Sequence, residues 1–304
     1  RLIVGSRGSP LALRQTEMAL DRLREAGVET ELKIVKTRGD IYLDRPLHQV
    51  SGRGIFVREI DERMISGEID VAVHSMKDLP SKRPKEICIA AVLPRDSPYD
   101  VLVSEEGVAL EDLEKNALVG TSSMRRAAQL RRARPDLMVR SLRGNLQTRL
   151  RKLSEGDYDA IILAEAGIQR MKIDAKYAVL DPEEFVPSAN QGAIAVATVA
   201  GLAEEAVRQI DHGPTRMVTE CERIFLETVG GSCVVPMAAH ADVEEDELRV
   251  VAEVLSLDGT RYVKIDERLP IDDYIQEVKM LSKKLVEMGG RDLVEEAVRI
   301  VETR

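Results

Sequence analysis

The 304-residue sequence contains no tryptophan, three phenylalanines and six tyrosines, so aromatic residues make up only 3% of the chain. Proteins that bind single-stranded nucleic acids stack the bases on aromatic side chains and need positive charge for the phosphates, whereas this chain carries a net charge of −9. Its apolar runs also stay well below the length of about 20 residues that a bilayer-spanning helix needs. The composition therefore argues against a general nucleic-acid coat and against a membrane protein.

Cysteine is equally scarce. Cys88, Cys221 and Cys233 are an odd number of cysteines spread along the chain, which argues against a disulfide framework. The N-terminal residues do not have the layout of a signal peptide, and because the first residue is Arg1 rather than methionine we expect a few residues to precede it. These features predict a cytoplasmic protein whose thiols are reduced.

Several common catalytic motifs are missing as well. The four histidines have no metal-ligand spacing, so we expect no metal site. The sequence also lacks a phosphate-binding glycine loop, a nucleophile elbow and a dinucleotide-binding fingerprint. A number of frequent enzyme classes are thereby excluded.

What the sequence does have is an alternation of strand-like apolar runs and amphipathic, helix-like stretches. The runs at residues 2–5, 69–74 and 116–120 are each followed by a polar loop. Hydrophobic residues make up 44% of the chain, enough for the cores of about two or three domains at this length. The pattern predicts an α/β fold with mixed, mostly parallel sheets, whose ligands bind beyond the carboxyl ends of the strands.

Two proline-containing segments, residues 93–100 and 186–192, are predicted to be crossings between two lobes. After residue 212 the pattern changes to a helix, strands joined by an Asp258–Gly259 hairpin turn, and two closing helices. We therefore predict three domains, which are lobe 1 (residues 1–93 and 190–211), lobe 2 (98–187) and a C-terminal α+β domain (215–304).

Residues 121–152 hold ten basic residues and one acidic residue, a local charge of +9 in an otherwise acidic chain. Nine of the ten are arginines, whose planar guanidinium groups bind carboxylates and phosphates through two parallel hydrogen bonds. Thr121, Ser122 and Ser123 precede them, where a helix N-terminus would offer N–H groups to an anion. We interpret the segment as an anion-binding surface for a polycarboxylate, a phosphate ester or a nucleic-acid backbone; a solvated helix face is the open alternative.

Three other loops hold residues suited to chemistry. Lys77 and Asp78 follow a strand-like run, and a carboxylate placed there can stabilise positive charge or transfer protons. Arg53 lies between two glycines, in a plain loop or a mobile lid. Cys233 follows two glycines and a serine, and nearby arginines would favour its thiolate. An ordinary ion-pairing loop and a small buried thiol are the alternatives at Lys77–Asp78 and at Cys233.

Motifs in a fixed order along nearly the whole chain resemble the porphobilinogen deaminase (hydroxymethylbilane synthase) family. They are GSRGSPLALRQ (5–15), KTRGD (36–40), GRGIFVRE (52–59), DVAVHSMKDLP (70–80), VGTSSMRRAAQL (119–130), RSLRGNLQTRL (140–150), YDAIILAEAG (158–167), NQGA (190–193) and GGSCVVP (230–236). Each motif alone is weak, but HSMKD, GTSS-x-RR and RSLRGN in this order are specific for the family.

The resemblance implies a transferase of tetrapyrrole and heme biosynthesis that joins four porphobilinogen molecules head to tail, with release of ammonia, to give hydroxymethylbilane. The family does this on a dipyrromethane cofactor that it holds through a thioether to one cysteine, which corresponds here to Cys233. It implies a monomer that binds porphobilinogen and neither nucleic acid nor membrane. The implied fold has two lobes like those of a periplasmic binding protein, and a third domain that carries the cysteine.

Site roles follow from the same resemblance. Asp78, beside Lys77, matches the acid–base carboxylate, and both residues also belong to the implied cofactor site. Arg53 matches the cationic position of the family's flexible lid, and Gln191 matches the glutamine of its GQGA motif. The side chains implied to hold the pyrrole carboxylates are Arg7, Ser9, Thr121, Ser123, Arg125, Arg126, Arg143 and Arg149.

The chain departs from the family at Ser232 (often glycine), in ANQGA instead of VGQGA, and at Ala197 (commonly acidic). Two other functions stay open. A non-catalytic solute-binding protein of the two-lobed class would explain the lobes and the arginines, but not Asp78 together with Cys233. A nucleic-acid-binding regulator would use residues 121–152 as its basic element.

Overall fold

The computed structural model describes residues 1–35, 55–230 and 235–303, without the side chains of residues 55 and 56. The described chain divides into two compact units. Unit 1 comprises Arg1–Asp96 and Gly192–Met217, and unit 2 comprises Ser97–Gln191 and Val218–Arg304. The first two changes of unit, after residues 96 and 191, fall inside the predicted crossing segments, and a third follows residue 217. The three-domain boundaries stay a prediction.

The elements follow one another in a regular order. In chain order the described elements are β1 (Leu2–Ser6), α1 (Pro10–Glu25), β2 (Thr30–Ile34), α2 (Ile55–Ile65), β3 (Val71–Ser75), β4 (Ile87–Val92), β5 (Asp100–Val103), β6 (Leu118–Gly120), α3 (Met124–Ala133), β7 (Met138–Arg140), α4 (Leu146–Ser154), β8 (Ala160–Ala164), α5 (Glu165–Arg170), β9 (Tyr177–Val179), β10 (Ile194–Val199), α6 (Glu204–Arg208), α7 (Gly213–Val229), β11 (Met237–Glu244), β12 (Glu247–Leu255), β13 (Tyr262–Pro270), α8 (Tyr274–Leu285) and α9 (Arg291–Glu302). Short 3₁₀ turns lie at Met76–Asp78 and Leu110–Asp112, and a π turn joins α8 to α9.

Unit 1 is built on a five-stranded sheet with the order β2-β1-β3-β10-β4. Strand β1 is parallel to β2 and β3, whereas β10 is antiparallel to β3 and β4. Successive side chains of a strand face opposite sides of the sheet, and here Val71 and Val73 pack with Leu23 of α1, whereas Ala72 packs with Ile60 of α2. Helices therefore cover both faces, and the edge of the sheet stays available to loops.

Unit 2 contains a second five-stranded sheet, with the order β7-β6-β8-β5-β9. Its strand directions repeat those of the first sheet, since β6 is parallel to β7 and β8, and β5 is antiparallel to β8 and β9. In each sheet the antiparallel inner strand is the one that directly follows a crossing segment, β10 in unit 1 and β5 in unit 2. The two sheets therefore share one topology.

The rest of unit 2 is a three-stranded antiparallel sheet, β11-β12-β13, packed on α7, α8 and α9. Phe225, Val250 and Leu285 lie in its fully buried core. The predicted hairpin turn joins β12 to β13, and Gly259 has a φ of 77°. A Cβ at Gly259 would collide with the carbonyl oxygen of Ala128 on α3, so only glycine fits there.

The predicted α/β class, with two sheet-containing lobes and a separate C-terminal sheet, is thus confirmed. Among residues 1–35, 55–230 and 235–303, no helix is both long and apolar enough to cross a membrane.

Candidate functional site

In unit 1, two predicted site loops lie at the same edge of the sheet. Strands β1 and β3 are parallel neighbours, with Val4 opposite Val71, so the loop Arg7–Ser9 and the turn Met76–Asp78 both leave the carboxyl ends of these strands. The N–H of Met76 donates to the carbonyl of Ala193 at 3.0 Å, which fixes the start of the turn. Asp78 is exposed and Lys77 is half-buried. The edge thus presents a carboxylate beside cations.

The loop after β1 ends in a helix cap. Ser9 Oγ accepts a hydrogen bond from the N–H of Ala12 at 3.4 Å, and Pro10 occupies the first helical position of α1, where its fixed φ suits the helix. The first turn of α1 contains no acidic residue. The positive end of the helix dipole and the half-buried Arg7 therefore favour an anion at this point.

His74 is a buried residue of β3, just before the Lys77–Asp78 turn, and sequence reasoning did not single it out. Burial, together with the charges of Arg83 and Arg7, lowers its pKa to about 3, so the imidazole is neutral at physiological pH. Among the residues that the structure describes, its Nε2 has no hydrogen-bond partner. Its place inside the HSMKD motif was the available signal.

In unit 2, the corresponding edge carries the hydroxyl and arginine loops. Strands β6 and β7 are parallel, with Gly120 opposite Arg140, so residues 121–123 and 141–145 emerge side by side. Ser122 Oγ donates to the carbonyl of Leu142 at 2.6 Å, which ties the two loops together. This edge therefore combines two loops that the sequence places 20 residues apart.

Both loops of this edge end in helix caps. Ser123 Oγ accepts from the N–H of Arg126 at 3.4 Å at the start of α3, and Thr121 Oγ1 accepts from the N–H of Ser123 at 3.2 Å. Asn145 Oδ1 accepts from the N–H of Thr148 at 2.9 Å at the start of α4. The predicted hydroxyl residues thus organise helix N-termini, which are suited to anions.

Arg143 and Arg149 flank the start of α4 and are both half-buried. Arg149 Nε donates to the carbonyl of Gly144 at 2.9 Å. Gly144 has a φ of 112°, and a Cβ there would lie 2.6 Å from Cγ2 of Thr148. The glycine therefore allows the tight turn between Arg143 and α4, the helix on which Arg149 lies.

Arg125 and Arg126 are buried rather than exposed, with 4% and 7% of their surface accessible. Both pair with Asp100, whose Oδ2 accepts from Nη1 of Arg125 at 2.6 Å and whose Oδ1 accepts from Nη2 of Arg126 at 2.7 Å. Burial raises the pKa of Asp100, but the two guanidinium charges outweigh it and hold the pKa well below its usual value. Sequence reasoning missed this aspartate.

Gln191 belongs to the same buried cluster. Its Nε2 donates to the carbonyl of Pro98 at 2.6 Å and to Asp100 Oδ1 at 2.9 Å, and its Oε1 accepts from Arg126 at 3.3 Å. The preceding residue, Asn190, has a φ of 63°. Asparagine tolerates this left-handed conformation better than most residues, which explains how it replaces the family's glycine.

Much of the remaining charge in residues 121–152 has structural partners. Arg132 pairs with Glu253 at 2.7 Å, Arg131 donates to the carbonyl of Leu257 at 2.7 Å, and Arg151 pairs with Glu155. Arg134 pairs with Asp136, and Arg140 lies 4.7 Å over the ring of Tyr158. The interpretation of the whole segment as an anion-binding surface was therefore too broad.

Cys233 and Arg53 lie outside the described residues, so the structure says nothing about either. The other two cysteines are packing residues. Cys221 is buried in the C-terminal core, and burial raises its pKa to about 12. Cys88 packs against the core of unit 1, and burial raises its pKa as well. Neither thiol is suited to react as a thiolate.

Comparisons with known proteins cover nearly the whole chain. Residues 2–206 match the family profile described as "Porphobilinogen deaminase, dipyromethane cofactor binding domain", and residues 217–287 match "Porphobilinogen deaminase, C-terminal domain". A "Probable porphobilinogen deaminase" from Methanosarcina mazei is 52% identical over 98% of this chain and 95% of its own length. One from Methanococcoides burtonii is 51% identical over 98% of this chain and 97% of its own.

Among solved structures, an ancestral cationic amino acid solute binding protein aligns with 69% of this chain and 87% of its own, with a TM-score of 0.43 and 14% identity. A likeness of this degree carries no inference about activity.

Proposed function

This chain belongs to the porphobilinogen deaminase family, and we propose that it condenses four porphobilinogen molecules head to tail into hydroxymethylbilane, with release of ammonia. We further propose that it works as a monomeric transferase in the cytoplasm. The observation that carries the assignment of residues is the shared sheet edge of unit 1, where parallel β1 and β3 place Arg7 and Ser9 at the same edge as Lys77 and Asp78.

The described residues suit the dipyrromethane cofactor of the family. Each of its pyrroles carries an acetate and a propionate, so the ligand is a polycarboxylate. The structure offers capped helix N-termini at Ser9 and Ser123, and a cluster of Arg125, Arg126 and Asp100 with one excess positive charge. When bound, the cofactor supplies the primer to which the pyrroles are added. Cys233 is the proposed point of attachment.

Holding carboxylates is the proposed task of the arginines and hydroxyls. Arginine keeps its proton at any working pH, so these side chains bind carboxylates without acting as bases. We assign this role to Arg7, Ser9, Lys77, Thr121, Ser123, Arg125, Arg126, Arg143 and Arg149, with Arg53 as the lid cation and Gln191 as a support of the cluster.

Asp78 is the proposed acid–base group. Its exposure leaves the carboxylate accessible to substrate. A carboxylate there stabilises the positive charge that develops as ammonia leaves porphobilinogen, and it accepts the proton that the substrate's α-carbon releases.

The rival functions lack such support. A solute-binding protein has no use for a reactive cysteine. A nucleic-acid binder would use the arginines of residues 121–152, but five of them contact other groups of the protein, namely Arg131, Arg132, Arg134, Arg140 and Arg151.

The test is porphobilinogen turnover by purified protein, with the ammonia and hydroxymethylbilane produced measured against porphobilinogen consumed. We expect wild type to release one ammonia per porphobilinogen, and Cys233→Ser to be inactive. Cys88→Ser and Cys221→Ser are matched controls, because these thiols pack in cores and should keep activity. A wild-type protein that leaves porphobilinogen unchanged, even after reconstitution with it, would contradict the proposal.

A further inference from the structure

The cluster around Asp100 carries an inference that rests on the proposed function. We propose that Asp100 is a positioning residue, which orients Arg125 and Arg126 for a substrate or cofactor carboxylate without touching that ligand. It is separate from the residues assigned above, and its own side chain is fully buried.

The position of Asp100 follows from the register of the unit 2 sheet. Asp100 is the first residue of β5 and lies opposite Ala164, the last residue of β8. Strand β8 is parallel to β6, so Asp100 lies at the edge from which Thr121–Ser123 emerge. The carboxylate therefore lies at the same edge of the sheet as the candidate anion site of unit 2.

Both oxygens of Asp100 accept hydrogen bonds from neighbouring side chains. Oδ2 accepts from Nη1 of Arg125, and Oδ1 accepts from Nε and Nη2 of Arg126 at 3.0 and 2.7 Å and from Nε2 of Gln191 at 2.9 Å. These contacts come from protein side chains, and because the Asp100 side chain is fully buried, a ligand group does not reach it. Asp100 acts on neighbouring side chains only.

The charge count separates Asp100 from an ordinary structural ion pair. One carboxylate here faces two guanidinium groups, which leaves one excess positive charge. At the other end of α3, Glu253 is also fully buried but faces a single cation, Arg132, and the neutral Gln129. A buried excess charge is unfavourable unless an anion balances it, and a ligand carboxylate would do so.

The hydrogen bonds of Arg125 show which atoms would meet that anion. In the part of the chain that the structure describes, its guanidinium donates only through Nη1, to Asp100, to Gln129 at 2.9 Å and to the carbonyl of Val186 at 3.0 Å. These contacts fix one end of the group. The Nε and Nη2 edge, which binds a carboxylate side-on, takes part in none of them.

The experiment compares Asp100→Asn and Asp100→Glu with the matched control Glu253→Gln. The two readouts are the fraction of molecules that carry a covalent dipyrrole by intact-protein mass, and the separate kcat and KM for porphobilinogen. Asp100→Glu keeps the charge and moves the carboxylate, so it remains informative if Asp100→Asn does not fold. Thermal unfolding of each variant checks that stability loss alone does not explain the result.

We expect both Asp100 variants to carry less dipyrrole and to raise KM by about tenfold to a hundredfold, the range produced by a misplaced binding group. Glu253→Gln should lose stability while keeping dipyrrole content and KM within about twofold of wild type, because the neutral Gln129 lies between Glu253 and Arg125 and the Asp100 carboxylate stays in place. Folded Asp100 variants with wild-type dipyrrole content and KM would overturn the inference alone. A wild type without dipyrrole and without turnover would overturn the proposed function and the inference with it.

Discussion

The two five-stranded sheets share one topology, yet the aspartates at their loop-bearing edges differ in burial and in partners. In unit 1 the acid, Asp78, is exposed, and the buried titratable group in the preceding strand, β3, is the neutral His74. In unit 2 the acid, Asp100, is buried and ionised by Arg125 and Arg126. Equivalent edges therefore supply one accessible carboxylate and one concealed carboxylate.

The difference shows that burial and partners, rather than place in the topology, determine what an aspartate does. An exposed carboxylate on a short turn is able to exchange protons with a substrate. A fully buried carboxylate that accepts hydrogen bonds from two guanidinium groups and an amide orients those groups and does not reach the substrate. The predictions below test this distinction.

The largest effect is expected at Asp78. Asp78→Ala should lower porphobilinogen turnover by about 10²–10⁴-fold, the usual contribution of a general acid or base. Because Asp78 is exposed, its free energy of unfolding should change by no more than about 0.5 kcal/mol. Steady-state kinetics and urea denaturation measure the two quantities. Asp174→Ala, another exposed aspartate of the chain, is the control; normal turnover in Asp78→Ala would refute the acid–base role.

At Asp100, in contrast to Asp78, we expect a large loss of stability. Asp100→Asn leaves two buried guanidinium groups without their carboxylate, so the free energy of unfolding should fall by about 3–5 kcal/mol. The matched comparison is Asp78→Asn, which removes an exposed charge. Equal stability of the two variants in urea denaturation would show that Asp100 does not hold the cluster together.

Mild acid should lower the stability of the protein through His74 of unit 1 before it protonates Asp100 of unit 2. His74 has a pKa of about 3 in the folded protein instead of 6.5, so between these values only the unfolded chain binds its proton. Stability should therefore decrease as pH falls below 6.5, by up to about 1.4 kcal/mol per pH unit from this group. His74→Gln should remove that slope in denaturation measured from pH 7 to pH 5. An unchanged slope would place the pH sensitivity elsewhere.

Asp100 also loses its contribution to stability in acid, but at lower pH than His74, because its folded pKa lies below its usual value. Its contribution is fully present above the unfolded pKa of about 3.9 and decreases only below it. Acidification from pH 7 to pH 5 should therefore affect Asp100→Asn and wild type equally at this site.

The smallest effects are expected at the two helix caps. Ser9→Ala and Ser123→Ala each remove a side-chain acceptor from a helix N-terminus and should each lower stability by about 1 kcal/mol. Serine-to-glycine variants at the same positions should lower the free energy of unfolding by only about 0.3 kcal/mol. If one cap variant lost much more stability than the other, the two junctions would not be equivalent.

Local patterns predicted most of the fold. The strand-like runs at residues 2–5, 69–74 and 116–120 correspond to β1 (Leu2–Ser6), β3 (Val71–Ser75) and β6 (Leu118–Gly120). The Asp258–Gly259 turn was also placed correctly, because a hairpin turn depends on its own residues. Strands and tight turns of this kind are determined by residues that are close together in the sequence.

The buried polar network could not be read in this way, because its partners are far apart in the sequence. Asp100 lies 25 residues from Arg125, and Gln129 lies 124 residues from Glu253. Five arginines of residues 121–152 point into contacts with the protein itself, which the charge pattern alone does not distinguish from binding surface. A buried arginine pair requires a carboxylate, and Asp100, the first residue of β5, supplies it.

The most direct measurement is the intact mass of freshly purified wild-type protein beside that of Cys233→Ser. The family chemistry requires a covalent primer, so wild type should exceed its sequence mass by one dipyrrole, and Cys233→Ser should match its sequence mass. A wild type that shows only the mass of its sequence, and does not gain a dipyrrole on incubation with porphobilinogen, would contradict the assignment.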